Sequence, residues 1–282
     1  MNKIAIVCDS CSSLTKSKAS KLGIHLIPTL FYIDDVEYNP LDENIMDYDE
    51  YYLKLENKEV VKTSCVNPNS FVNTFTPLAE EGYDILYIAL SGGLSASYNN
   101  AHIAKEMIED DYNVKGEIVD SMTGSVGILI LLHEAIKLKE EGKSVGEIKA
   151  ALDKNALNVT SLFTIGSLDH LRRGGRLSIV SAVVGTLLKI NPVVTVNESG
   201  MLVVESKHRG RRAATSYLIN SIVEKANKDS ILCIGHTNCK DEAYTMKSRL
   251  EELGYSVLME YIDHTMGAHC GPKTIAVFYR NK

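Results

Sequence analysis

Residues 84–101 read DILYIALSGGLSASYNNA, and this stretch decides how the rest of the chain is interpreted. Its first half, Ile85 to Leu90, is an apolar run without polar alternation. Such a run is typical of a strand in a parallel sheet that is covered on both faces. A Gly/Ser turn follows, and a helical pattern begins at Tyr98. The stretch therefore predicts a strand–turn–helix unit of an α/β fold.

The turn itself, residues 91–97, has the character of an anion site. It presents unpaired N–H groups at the positive end of a helix dipole, where an anion binds at low cost. Its serines add hydroxyl donors. The alternative is that Ser95 or Ser97 is only the N-cap of the following helix. The turn alone favours the N-cap interpretation, and the choice between the two depends on residues elsewhere in the chain.

Composition narrows the class of protein. The chain has 282 residues, is 45% apolar and 23% charged, and carries a net charge of −6. That length suggests two domains or one large one. Without a basic tract, we expect no charge-driven binding to nucleic acid or a membrane surface. The sequence contains no run of about 18 apolar residues, so we predict no membrane-spanning helix. The start, MNKIAIVCDS, is expected to be the first strand rather than a signal peptide, which indicates a cytoplasmic protein.

Cys8 and Cys11 have the CxxC spacing of a redox or metal site. Such a site normally has a second cysteine pair or histidines at ligand spacing. Neither is present, so small reduced thiols at a strand end are the favoured interpretation. We expect no metal and no cofactor.

Polar turns recur along the first half of the chain. They accompany the predicted strands or precede helices, at Asp9-Ser10, Thr63-Ser64 and Asp120-Ser121. The carboxyl ends of parallel strands share one edge of a sheet, where ligands of open α/β sheets bind. We therefore expect these turns and residues 91–95 to form one rim. The segment from Ile24 to Ile33 contains Pro28 and predicts a single edge or bent strand, followed by a turn at Asp34-Asp35 and a hairpin return over Val36 to Tyr38.

The second half has a different pattern. Strands predicted over 192–196 and 201–206 flank a hairpin signal at Glu198-Ser199-Gly200, and further strands alternate with helices. This mixture predicts an α+β domain with a mixed or antiparallel sheet beside the mostly parallel α/β domain with flanking helices. We place the two domains at 1–158 and 159–282. A strongly apolar helix is predicted from Ser178 to Ile190.

Two groups of residues in the second half carry chemistry. One is LRRGGR at 171–176, and the other is GAHCGP at 267–272, a histidine bracketed by glycine and proline. Taken singly, each is more often an ordinary solvated turn or loop. In order with Asp9-Ser10, Thr63-Ser64, the 93–98 turn and Asp120-Ser121, they form a set that covers nearly the whole chain. With this set the sequence resembles the DegV family, which includes the fatty-acid-binding subunits of bacterial fatty acid kinase.

The resemblance implies a protein that holds one long-chain fatty acid, such as palmitate or oleate, between two domains. The family's carboxylate-binding residues match Thr63 and Ser95, and the histidine at the mouth matches His269. Other candidates, near the carboxylate or on the surface that docks the kinase, are Ser64, Ser91, Gly93, Arg173, Arg176 and Arg209. The resemblance does not assign separate roles to the arginines. The partner would be an ATP-dependent kinase subunit that makes the acyl phosphate, and this chain would be a carrier, not an enzyme.

Elementary chemistry also allows a fatty acid to bind in this way. A carboxylate out of water must be hydrogen-bonded, and two hydroxyls on turns before helices can do this. Burying a tail of about sixteen carbons yields on the order of 12 kcal/mol before ordering costs. The tail needs an apolar slot, and the predicted lining is Phe163, Ile165, Val183, Leu187, Ile190, Val193 and Met266. Alternatively, the same residues form a closed core.

The chain departs from the family pattern in four places. Cys8 replaces a threonine, Ala96 a glycine, Cys65-Val66 a glutamine-proline pair, and Lys273 a frequent glycine. The last departure, Lys273, puts the backbone geometry near the headgroup, and the kinase partner, in question.

Other functions remain open. A serine hydrolase would use Ser95 as nucleophile, His269 as base and Asp120 as the orienting acid, although the turn lacks the G-x-S-x-G elbow. A phosphate or nucleotide site at residues 91–97 would lack the P-loop lysine.

Overall fold

The computed structural model describes residues 3–176 and 190–282. The strands of the first half are β1 (Lys3–Asp9), β2 (Ile24–Ile27), β3 (Phe31–Ile33), β4 (Val36–Tyr38), β5 (Val61–Thr63), β6 (Tyr83–Ala89) and β7 (Gly116–Asp120). The helices are α1 (Lys16–Leu22), α2 (Tyr48–Glu56), α3 (Pro68–Glu80), α4 (Ser97–Asp111), α5 (Ile128–Glu140) and α6 (Val145–Ala156).

The predicted parallel sheet is confirmed. Its strand order is β2-β1-β6-β7, and every pairing in it is parallel. Side chains alternate along β6, so that Leu86 and Ile88 pack into one apolar cluster and Ile85 and Tyr87 into another. Because both faces of the sheet are covered, the strand needs apolar residues at consecutive positions.

The predicted single strand over residues 24–33 is wrong. The chain leaves the parallel sheet after Ile27, and Phe31–Ile33 pairs instead in a separate antiparallel sheet of order β4-β3-β5. Pro28 has no N–H group to continue the ladder. Asp34 and Asp35 both have positive φ, 49° and 61°, which suits a two-residue hairpin turn. The hairpin of β3 and β4 follows the prediction, but its pairing with β5, which carries Thr63 at its end, was not predicted.

The second half forms a six-stranded mixed sheet of order β10-β9-β8-β13-β11-β12, and this confirms the predicted fold class. Its strands are β8 (Val159–Thr164), β9 (Ile190–Val196), β10 (Leu202–Arg209), β11 (Leu232–His236), β12 (Val257–Tyr261) and β13 (Ile275–Arg280). The β11–β12 pair is parallel, and the other pairings are antiparallel. Its helices are α7 (Asp169–Arg173), α8 (Arg211–Lys225), α9 (Lys240–Glu252) and α10 (His264–Cys270).

Two predictions for the second half need correction. Ile190 is the first residue of β9, not the end of a helix, because it pairs with Arg209 across the hairpin. The remaining residues of that predicted helix, Val183 and Leu187 included, lie outside the described residues. His269 is not in a loop but in α10, which begins after Asp263. The Asp263 side chain accepts the Met266 N–H at 3.0 Å and so caps this helix.

The two sheets share an apolar core. β8 begins at Val159, next to the predicted domain boundary. The largest apolar cluster nevertheless contains Leu90 and Val126 from the first half together with Phe163 and Phe278 from the second. The division into domains at residue 158 stays a prediction. Within residues 3–176 and 190–282, no helix is long and apolar enough to span a membrane.

Candidate functional site

A cavity of about 820 Å³, counting its opening to solvent, lies between the carboxyl edge of the parallel sheet and one face of the mixed sheet. Its walls are mainly apolar. Thr63, Arg176 and His269 lie on the side that a neighbouring cleft shares, and further hydroxyl residues, Thr29, Ser125, Ser161, Thr265 and Thr274, also line the walls. The apolar lining is formed by Leu90, Leu94, Phe163, Leu171, Val196, Leu202, Ile262, Met266, Ala276 and Phe278. A mainly apolar cavity with a few convergent polar groups is the usual form of a site for a small molecule.

Thr63 and His269 meet on the side of the cavity that the neighbouring cleft shares. Thr63 lies at the end of β5 and His269 in the last turn of α10, and Thr63 Oγ1 is 2.8 Å from His269 Nε2. Burial, together with the smaller effects of the neighbouring Arg176 and His170, lowers the pKa of His269 to about 4. The imidazole is therefore neutral at ordinary pH and can either donate to or accept from the threonine hydroxyl.

The LRRGGR and GAHCGP segments pack directly against each other. A Cβ on Gly174 would lie 2.2 Å from His269 Nδ1, so any side chain there would displace the imidazole. Likewise, a Cβ on Gly271 would lie 2.5 Å from the His170 ring. Glycine is needed at these positions because α7 and α10 approach closely. The two motifs therefore form one structural unit around the histidine.

Ser95 borders the cavity just before α4 and has two roles. Its Oγ accepts the Ser97 N–H at 3.2 Å and lies 2.9 Å from Ser97 Oγ. Ser97 Oγ in turn accepts the Val66 N–H at 3.0 Å, which ties α4 to the loop before α3. Both sequence interpretations of this turn therefore have a basis: Ser95 serves the start of the helix and also lines the cavity. Ala96, at the N-cap position, makes no side-chain capping bond.

The candidate arginines occupy three different places. Arg176 lines the cavity, and its Nε donates to the Leu94 carbonyl at 3.3 Å. Arg173 is exposed and lines a neighbouring polar cleft that also includes Thr63, His269 and Arg176. Arg209 is exposed at the end of β10 and lines neither cavity. Only Arg176 is therefore placed to act on a head group in the cavity.

Of the other predicted headgroup residues, Ser64 lines the cavity, and its N–H donates to the Leu30 carbonyl at 3.0 Å. Ser91 and Gly93 do not line the cavity. Ser91 is buried beneath the turn and instead donates from Oγ to the Gly200 carbonyl at 2.9 Å.

The structure places the predicted tail-lining residues in different positions. Phe163 and Met266 line the cavity. Ile165 is buried in the same apolar cluster without reaching the cavity wall. Val193 is a correction: it packs with Ala214 and Leu218 on the opposite face of the mixed sheet. Because side chains alternate along a strand, its neighbour Val194 faces the cluster that holds Phe163.

Several lining residues were not predicted from the sequence. Cys11, Thr29, Leu94, Ser161 and Leu202 all line the cavity. Cys11 follows directly after β1, and the turn at that strand end was a usable signal. No local sequence pattern indicated Leu202, because its contact with the cavity depends on how the β9–β10 hairpin packs.

The rival sites are not assembled. The structure shows no hydrogen bond between Ser95 and His269, and the Asp120 carboxylate accepts the N–H groups of Gly92 and Met122. That geometry lacks the contacts of a catalytic triad. Cys8 and Cys11 are buried free thiols, and burial raises the pKa of Cys8 to about 12. A thiol in that state is a poor redox nucleophile. In the two described ranges, no cluster of three His, Cys, Asp or Glu residues is arranged to hold a metal ion.

Comparison with known proteins gives one consistent result. The family model described as "Uncharacterised protein, DegV family" matches residues 3–282. A DegV domain-containing protein of Clostridium perfringens is 33% identical over 285 residues, which cover 99% of this chain and 98% of that protein.

Solved structures agree. A fatty-acid-binding DegV family protein from Streptococcus agalactiae is 25% identical, with all of both chains covered and a TM-score of 0.88. A stearic-acid-binding protein from Eubacterium ventriosum is 25% identical, with 98% of each chain covered and a TM-score of 0.87. Sequence and structure agree along nearly the whole length, and the chain therefore belongs to the DegV family.

Proposed function

We propose that this protein binds one long-chain fatty acid, with the acyl tail in the cavity and the carboxylate held by Thr63 and Ser95. The observation that carries the proposal is the cavity itself, whose mainly apolar walls include the hydroxyls of Thr63 and Ser95 and a neutral imidazole. The solved relatives described as binding fatty acids, stearic acid among them, add support.

The hydrogen-bond geometry suits a carboxylate. If His269 donates its Nε2 proton to Thr63 Oγ1, the threonine hydroxyl keeps its own proton free for the ligand. The Ser95 oxygen accepts the Ser97 N–H and lies 2.9 Å from Ser97 Oγ. If Ser97 donates in that second contact, the Ser95 proton is also available for the ligand. Hydrogen bonds to a charged acceptor are the stronger kind. Arg176 adds a positive charge on the side of the cavity where Thr63 and His269 lie.

The tail supplies most of the binding free energy. Each buried CH₂ contributes about 0.8 kcal/mol, against the loss of freedom on binding. The walls next to the acyl chain come from both sheets, since Leu90 follows β6 while Phe163 and Phe278 lie on β8 and β13. Binding one ligand therefore stabilises the contact between the two halves of the chain.

The protein would act as a carrier, with no phosphoryl transfer of its own. A separate ATP-dependent kinase subunit would phosphorylate the bound carboxylate to an acyl phosphate. The polar cleft beside the cavity supports this role, because it shares Thr63 and His269 with the cavity and adds Arg173. A cation there can attract the negative charge of the reacting groups.

Lipid extraction and mass spectrometry of the protein purified from bacteria test the binding proposal. We expect one long-chain fatty acid per chain, and weaker retention in Ser95→Ala. Arg173→Ala should retain the lipid but impair its phosphorylation when a kinase subunit is added. An empty wild-type chain that also fails to bind added palmitate or oleate would contradict the proposal. Hydrolysis of a chromogenic ester that Ser95→Ala abolishes would support the serine hydrolase instead.

A further inference from the structure

The tip of the β9–β10 hairpin, residues 197–201, contacts the turn that carries Ser95. Ser91 Oγ donates a hydrogen bond to the Gly200 carbonyl at 2.9 Å and accepts the Gly93 N–H at 3.3 Å. Ser91 is completely buried. This one hydroxyl therefore connects the hairpin tip, from the second half of the chain, to the turn that shapes the rim of the cavity.

The contact is backbone against backbone. A Cβ on Gly93 would lie 2.6 Å from the Gly200 carbonyl carbon and oxygen and from the Ser199 oxygen. A Cβ on Gly200 would lie 2.3 Å from Ser91 Oγ, and Gly200 has a φ of +73°. Glycine is therefore needed on both sides. No side chain separates the two segments, so the backbone of the hairpin tip lies directly on the backbone of the turn.

The hairpin tip is internally held together. Asn197 Oδ1 accepts the N–H groups of Ser199 and Met201, each at 3.0 Å, and the Asn197 carbonyl accepts the Gly200 N–H at 2.9 Å. These bonds make the tip a single unit. It should therefore move onto or off the turn as a whole.

The tip also extends beyond the sheet that supports it. β9 pairs with β8 only through residues 193–195, and β10 is the edge strand of the sheet. Val196 and Leu202, which flank the tip, line the cavity, as do Leu94 and Ser95 on the opposing turn. The contact between tip and turn therefore joins two walls of one cavity, and its loss would separate them.

We propose that the hairpin tip is a latch that retains the ligand, with Ser91 as its positioning residue. The proposal builds on the proposed function, because the molecule retained is the fatty acid in the cavity. With the Ser91–Gly200 bond formed, the walls that carry Val196 and Leu94 are held together around the ligand. With the bond broken, the tip can lift from the turn and the acid can leave faster.

Stopped-flow displacement of bound cis-parinaric acid by excess oleate tests the latch. We expect Ser91→Ala to release the probe about tenfold faster than the wild type, because one buried hydrogen bond is lost. Ser206→Ala is the matched control: Ser206 lies on the same hairpin but bonds His208 Nε2, away from the tip. Its release rate should stay within twofold of the wild-type rate.

A second variant guards against misfolding of Ser91→Ala. Asn197→Ala loosens the tip from the hairpin side, and we expect about threefold faster release. Wild-type release rates in both folded variants would overturn the latch. Hydrogen exchange without ligand separates this result from failure of the proposed function. If the wild type binds no fatty acid, faster exchange at residues 196–202 in Ser91→Ala would still support the latch, and unchanged exchange would overturn it.

Discussion

Two groups of polar side chains differ in how completely they are bonded: one lines the cavity, and the other is buried beside it and reaches its wall through Ser125. At the rim, Thr63 and Ser95 are partly exposed, and each hydroxyl can turn its proton to a ligand when its neighbour, His269 or Ser97, acts as the donor. In the second group, Ser13, Ser125 and Asp263 are buried and bond one another. Ser13 Oγ lies 2.9 Å from Ser125 Oγ and donates to Asp263 Oδ2 at 2.9 Å.

The difference separates a binding role from a structural one. The buried group links the turn after β1 to the start of α10, the helix that carries His269. Removing one member leaves its partners without a hydrogen bond, and water does not reach them to replace it. The loss therefore lowers the stability of the fold. At the rim, water can replace a lost hydroxyl in the free protein. A rim substitution should therefore weaken ligand binding and leave stability nearly unchanged.

The largest effect is expected for Asp263→Ala. This change removes the cap of α10 and an acceptor of Ser13, so the free energy of unfolding should fall by about 2 to 4 kcal/mol. Urea unfolding followed by circular dichroism measures it. The control is Asp153→Ala, which removes a surface pair with Lys149 and should cost less than about 0.5 kcal/mol. Equal losses in the two variants would remove the distinction between the buried group and an ordinary surface carboxylate.

Thr63→Val tests the rim with a side chain of nearly the same shape. The affinity for oleate should fall by roughly tenfold or more, since a hydrogen bond to a charged group is worth about 1.5 to 3 kcal/mol. Titration calorimetry gives the affinity, and urea unfolding should show little change. Thr160→Val is the control, because that hydroxyl bonds Asn281 and does not line the cavity. Normal affinity in Thr63→Val would exclude Thr63 as a carboxylate donor.

The buried group should also have its own pH dependence. Burial raises the pKa of the Asp263 carboxyl from 3.8 to about 7. The folded protein therefore binds more protons at Asp263 than the unfolded chain between these values. The stability that comes from this group is complete below about 3.8 and is lost as the pH rises through about 7.

Comparison with Asp263→Asn isolates this effect. Relative to the variant, the wild type should lose stability from pH 4 to pH 7 and then level off. Burial lowers the pKa of His236, His264 and His269 to about 4. Their effect runs in the opposite direction, with stability lost as the pH falls from about 6.5 to 4, but both proteins share it. A pH-independent difference in urea midpoints would show that Asp263 does not titrate in this range.

The smallest effect belongs to a residue outside both groups. Lys273 has a φ of +59°, a conformation that glycine adopts more easily. Lys273→Gly should raise the free energy of unfolding by about 0.5 kcal/mol and leave oleate affinity unchanged. Thermal unfolding measures the shift. Any loss of affinity would mean that the lysine side chain, and not only its backbone, contributes to the rim.

The sequence was informative where a residue's role depends on its local neighbours. The buried strand β6, the caps at Asn67 and Ser144 and the hairpin at residues 197–201 all follow from patterns of a few residues. The meeting of Thr63 with His269 across more than two hundred residues came only through the family resemblance. The pairing of β5 with the small sheet, and the direction of the Val193 side chain away from the cavity, depend on strand pairing and register. Local patterns do not determine either.

The small sheet that carries Thr63 has one more consequence. Helix α2, which packs with it, sends the hydroxyls of Tyr51 and Tyr52 to the backbone carbonyls of His264 and Ile262, at the start of the segment that leads to His269. The threonine and the imidazole are therefore joined by one connected set of contacts, although they lie far apart in the chain. A carboxylate arriving at the cavity should find these two partners already spaced, so that their alignment adds little entropic penalty to loading.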